Sequence, residues 1–219
     1  MLTGAEWQMV GVGILQTLYM TIVSTVIAYI IGLPMGILLV TSAKDGIKEN
    51  KILFKILDIL TNVLRSVPFL ILLVLVIPLT RLIVGTTIGS TATIIPLVIG
   101  AAPFIARMVE SSLKEVDRGV IEASLSMGAS PYQIVSKVMI TESMPSLMVG
   151  FAISITTILG YSALAGFVGG GGLGDIAIRY GYYRYQSNIM IVTVILLVLI
   201  VQILQAIGTK IATKIDKRI

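Results

Sequence analysis

The 219-residue chain contains no cysteine and no histidine. Disulfide frameworks, thiol nucleophiles, histidine bases and the common zinc sites are excluded together. Charge is also scarce: 12% of residues are charged against 56% hydrophobic, and the mean hydropathy is +1.01. That leaves too little polar surface to cover a soluble globule, so the chain reads as an all-α polytopic protein of the lipid bilayer. Acidic residues are the scarcer sign, 11 against 16 basic ones, for a net charge of +5. In a membrane protein such an excess marks loops kept on the cytoplasmic side, and no nucleic-acid partner is expected.

What is abundant is uncharged sequence. No charge occurs over Trp7–Ala43, Ser66–Thr80, Leu82–Ala106, Ser143–Gly174 or Tyr185–Thr209. At roughly 20 apolar residues per crossing, five spans are expected in one transmembrane domain over 1–219, at approximately 9–41, 56–80, 84–108, 141–165 and 187–209. The second run is short, so its helix must begin near Ile56 and carry Asp58, Asn62 and Arg65 on one face near the membrane surface. The first run is too short for two crossings and a turn, so Gly32, Pro34 and Gly36 are expected to kink a single helix. That run lacks a basic leader and a small-residue cleavage site, and reads as a retained helix.

Basic residues test the division independently. Lys44, Lys48, Lys51, Lys55, Arg65, Arg107, Lys114, Arg118, Lys137, Lys210, Lys214, Lys217 and Arg218 fall on one side. Arg81, Arg179 and Arg184 fall on the other. The positive-inside rule puts the N-terminus outside and the C-terminus in the cytoplasm.

Between the third and fourth spans lies a polar island, residues 117–137, reading as a cytoplasmic elbow of two short helices. Asp117 can cap the first, Gly128 stands where a left-handed stop residue is wanted, and Ser130-Pro131 with Gln133 offers a cap, a first-turn proline and a capping box. The first helix carries Ile121, Leu125 and Met127, flanked by Arg118 and Glu122. Periodicity allows two readings: a short plug for a partner's groove, or a surface helix lying on its own bundle.

Glu122-Ala123-Ser124, then three residues, Gly128, nine residues and Val138-Met139-Ile140 resembles the EAA signature of permease subunits in type I bacterial ABC importers. Ser124 replaces the second alanine, and Thr141 stands where the family has proline. The segment Gly166–Tyr185, with its Gly-Gly-Gly-Gly-Leu-Gly-Asp run, is similar to that of the methionine-importer permeases. The resemblance implies that the elbow is a coupling helix. Contact with an ABC ATPase would fall on Arg118, Ile121, Glu122, Ala123, Ser124, Leu125, Met127, Gly128, Ala129 and Ser130, with Glu122, Ala123 and Gly128 as motif positions. It also implies a second copy of the chain, two ATPase copies holding ATP and Mg, and an extracytoplasmic solute-binding protein or lipoprotein. The setting implied is the bacterial cytoplasmic membrane, with no cofactor on this chain and no covalent catalysis by it. A permease for another small solute, and an autonomous secondary carrier, are the alternatives.

Gly169 and Gly174 have the outer spacing of a phosphate-binding loop, but Asp175 stands where that motif needs lysine. Gly169, Gly170, Gly171, Gly172 and Gly174 are expected to serve tight turns and close helix packing, with direct contact to the solute as the less favoured alternative. Thr17, Thr21, Ser24, Thr25, Ser154, Thr156 and Thr157 are expected to bond neighbouring helices or their own carbonyls. No acid or base lies deep in a span, which argues for an external energy source.

Overall fold

Apolar runs that cannot leave backbone groups unpaired in lipid fold as helices, and every regular element is helical among the described residues 2–215 of the computed structural model. Lys217 and Arg218, part of the basic count, lie outside those residues. Helix α1 runs Gly4–Ser42 with Pro34 inside it. There follow α2 (Lys51–Ser66), α3 (Phe69–Leu75), α4 (Ile77–Val84), α5 (Ser90–Lys114), α6 (Arg118–Ser126) and α7 (Pro131–Gln133). A π-helical turn, Ile134–Met139, leads into α8 (Ile140–Glu142) and α9 (Met144–Leu164). A 3-10 turn, Ala165–Val168, precedes α10 (Gly172–Ile176), a second π segment, Ala177–Tyr182, and α11 (Ser187–Ile215).

Among the described residues, four stretches are long and apolar enough to cross a membrane: Gly4–Ser42, Ser90–Lys114, Met144–Tyr182 and Ser187–Ile215. A fifth exists only if α2 and α3, which are bent at their junction, count as one broken span. Where one helix is expected over 56–80, the chain forms three short ones. Pro68, with φ −56° and ψ 135°, is extended and carries no amide hydrogen, so α2 ends before it and α3 begins after it. Val76 then ends α3 and starts α4.

The chain divides into two compact units. One comprises Met1–Ile27, Val67–Ala101 and Ile155–Gln205, with Met20, Leu97, Ile158, Leu159, Leu173 and Ile189 buried at its centre. Phe69 stacks on Tyr161 there, with ring centroids 4.3 Å apart. The other comprises Ala28–Ser66, Ala102–Ser154 and Ala206–Ile219, cored by Leu39, Ile105, Leu113, Ile134 and Met139. In it, Gly32 and Gly36 lie against α5. A Cβ at Gly32 would stand 2.7 Å from the Ala102 carbonyl oxygen, and one at Gly36 2.6 Å from that of Ala106. The pair acts as a small-residue seam, four residues apart, that lets two helix backbones approach.

Candidate functional site

The elbow is built by its caps. The Asp117 carboxylate accepts from Gly119 N at 2.7 Å and starts α6. Gly128 takes φ +80°, Gly128 N donates to Leu125 O at 2.9 Å, and Ala129 N donates to Ser124 O at 3.1 Å. These two bonds form the Schellman stop that a glycine at this position permits. Ser130 and Gln133 then form a reciprocal box: Ser130 N donates to Gln133 Oε1 at 2.8 Å, and Gln133 N to Ser130 Oγ at 3.4 Å. Ile134 and Met139 are buried and anchor the second half of the elbow.

The candidate residues separate onto different faces. Arg118, Ile121, Glu122 and Leu125, at helical spacing, line a cavity of about 690 Å³ shared with Val40, Lys44, Ile47, Leu113, Lys114 and Met139. Ser124 is buried and donates its hydroxyl to Val120 O at 2.8 Å, so it serves the helix rather than a partner. Ala123, Met127, Gly128 and Ser130 are exposed, and Ala129 is half-buried. Among the described residues neither Arg118 nor Glu122 forms an ion pair. Met127 is 81% exposed and Tyr132 80%. Tyr132 and Val120, both exposed, are not among the residues to which the motif and its flanking charges point. A short helix with open charges, bare apolar side chains and a cavity along one face is equipped to receive another protein.

The glycine-rich segment has a different character. Gly169 N donates to Gly166 O at 3.2 Å and Gly170 N to Ala165 O at 3.0 Å. Gly172 N donates to Gln16 Oε1 at 2.9 Å and Leu173 N to Thr17 Oγ1 at 2.9 Å. Amides already bonded within the protein cannot cradle a phosphate. Thr93 Oγ1 donates to Gly170 O at 3.2 Å, and Asp175 pairs with Arg179 at 3.1 Å rather than taking part in the turn. Gly169, Gly171 and Gly172 have φ between +77° and +79°. A Cβ on Gly170 would stand 2.7 Å from Thr93 Oγ1, and one on Gly172 2.7 Å from Thr17 Oγ1. Gly174 packs onto the backbone of Ala163.

The intramembrane hydroxyls divide. Thr17 donates to Gly13 O at 2.9 Å, Thr25 to Thr21 O at 2.7 Å and Ser154 to Gly150 O at 2.7 Å. Thr21 Oγ1 and Ser24 Oγ are buried without a hydrogen-bond partner among the described residues.

Residues 28–219 match the family described as binding-protein-dependent transport system inner membrane component. The probable D-methionine transport system permease protein MetI of Vibrio cholerae is 50% identical over 93% of this chain and 90% of its own length. The methionine import system permease protein MetP of Bacillus subtilis is 43% identical over 83% of this chain and 82% of its own. A solved structure of inward-facing conformations of the MetNI methionine ABC transporter superposes with a TM-score of 0.97 at 44% identity, covering 99% of this chain and 100% of that one. The chain is thus an all-helical, multi-pass membrane permease and belongs to the binding-protein-dependent inner membrane component family, within the group that holds MetI and MetP.

Proposed function

We propose that this chain is the permease subunit of an ATP-driven methionine importer. The observation that carries the reading is likeness over nearly the whole length: 44% identity and a TM-score of 0.97 to a chain of a methionine ABC transporter. Five spans are too few to enclose a solute path, so two copies face each other about a two-fold axis. The N-terminus lies outside, and residues 117–137 lie in the cytoplasm, as the basic-residue asymmetry supports. Each elbow docks on one of two ABC ATPase copies. Those subunits hold ATP and Mg, and the permease catalyses no covalent step.

The geometry of the elbow supports its role as a lever. Capped at both of its helix starts and stopped by Gly128, it is stiff enough to transmit motion. ATP binding closes the ATPases and tilts the elbows, opening the path to a solute-loaded extracytoplasmic binding protein or lipoprotein; hydrolysis returns the path inward. The absence of acids and bases from the span centres supports an energy source outside this chain.

The test is uptake of radiolabelled methionine by proteoliposomes holding the permease, its ATPase and the binding protein. Uptake that requires ATP and all three components supports the reading. Uptake of an unrelated solute with no methionine transport, or transport by the permease alone along an ion gradient, contradicts it.

A further inference from the structure

Arg107, directly after the charge-free run of α5, gathers two elements that sequence periodicity treated separately. Its Nη2 pairs with the Asp58 carboxylate, and donates to Asp58 O at 3.2 Å and to Asn62 Oδ1 at 2.9 Å, all on α2. Its Nη1 lies 2.7 Å from Glu110 Oε2 on its own helix, while Lys114 Nζ lies 2.7 Å from the other Glu110 oxygen. Asn62 Nδ2 in turn donates to Asp58 Oδ1 at 3.2 Å. The Arg107 and Glu110 side chains are only 18% and 7% exposed. A charge so covered is costly to leave unpaired. The planar guanidinium holds α2 with one terminal nitrogen, Nη2, and Glu110 with the other, Nη1, a division that a lysine ammonium cannot reproduce.

The location gives the network its consequence. α5 ends at Lys114, Asp117 caps α6, and Lys114 lines the same cavity as Arg118 and Glu122. Motion of the elbow therefore reaches the end of α5 within a few residues. Arg107 stands only about 10 Å further along the helix at 1.5 Å per residue.

We infer that Arg107 is a positioning residue of the transport cycle: it clamps α2 to the elbow end of α5, so that the stroke of the elbow moves both helices together. This rests on the permease reading above, and two readouts separate the two claims. The first is methionine imported per ATP hydrolysed by the assembled transporter in proteoliposomes. Asp58→Asn with Asn62→Ala, and separately Arg107→Lys, keep ATP hydrolysis within about twofold while import falls about tenfold or more, a loss of coupling within the range known for contacting residues. In this cysteine-free chain, Asp58→Cys with Arg107→Cys is equally uncoupled until a short bifunctional maleimide joins the thiols and restores import. A coupling ratio unchanged in these variants, or import and hydrolysis lost together and not rescued by the crosslinker, overturns the inference. The second readout is amide exchange across 51–66, which needs no transport. Asp58→Asn with Asn62→Ala accelerates it about tenfold, and unchanged exchange overturns the clamp. Wild-type vesicles that import no methionine would instead overturn the permease reading.

Discussion

Gly166 lies directly on the backbone of Gly174, so close that a Cβ on Gly166 would stand 2.5 Å from Asp175 N. Backbone atoms cannot step aside as a flexible side chain can. Gly166→Ala should therefore cost about 1–3 kcal/mol, the range for overpacking a tight site. Gly160→Ala, where a Cβ meets nothing within 4 Å, should cost nothing measurable. Thermal unfolding of the two variants in detergent checks the contrast.

Thr17 serves both α1 and the glycine-rich segment, donating to Gly13 O and accepting from Leu173 N. Thr17→Val keeps the shape but leaves the buried Leu173 amide without its acceptor, at about 1–3 kcal/mol. Thr17→Ser retains the oxygen and should lie close to the wild type. The measurement is the midpoint of unfolding for both.

At Gly128 a Cβ meets nothing within 4 Å of the chain, although the backbone is left-handed. Substitution there strains only the turn, by about 1–2 kcal/mol. Gly128→Arg is expected to insert normally while reducing co-purification of the ATPase more than about tenfold, the effect of a blocked central contact. Normal ATPase recovery with full transport would remove Gly128 from the docking face.

Ser130 tests the stiffness of the lever. Ser130→Ala removes the acceptor for Gln133 N, and loss of a cap costs about 1 kcal/mol. Amide exchange should accelerate over residues 131–139 and stay unchanged in α6, whose cap is Asp117. Transport should fall in step with the fraying.

Local chemistry carried far in the sequence. Asp117, Gly128 and the Ser130–Gln133 box have roles fixed by backbone physics within four residues, and each does in the fold what its type suggests. Long-range roles were hidden. Gly32 and Gly36 are equally consistent with a kink and with a seam, and only the position of α5 assigns them to the seam. Asp58 and Asn62 share a helix face in the sequence, but no periodicity tells that Arg107, 45 or more residues away, meets them there. Pro68 was the legible warning against one helix over 56–80, since a proline disfavours the helical conformation at the residue before it; the uncharged run around it masked that signal. On the elbow, charge and motif drew attention to Glu122, while Tyr132, 80% exposed, falls among the unspecified spacer positions of the motif.

Accessibility of the elbow decides the central claim, that it faces the cytoplasm and docks an ATPase there. The chain has no native cysteine, so Met127→Cys places one thiol at an 81% exposed position. Labelling with a membrane-impermeant maleimide should occur in inside-out vesicles, fail in right-side-out vesicles, and be blocked when the ATPase subunit is bound. Labelling of intact right-side-out vesicles, or labelling indifferent to the ATPase, would contradict the account.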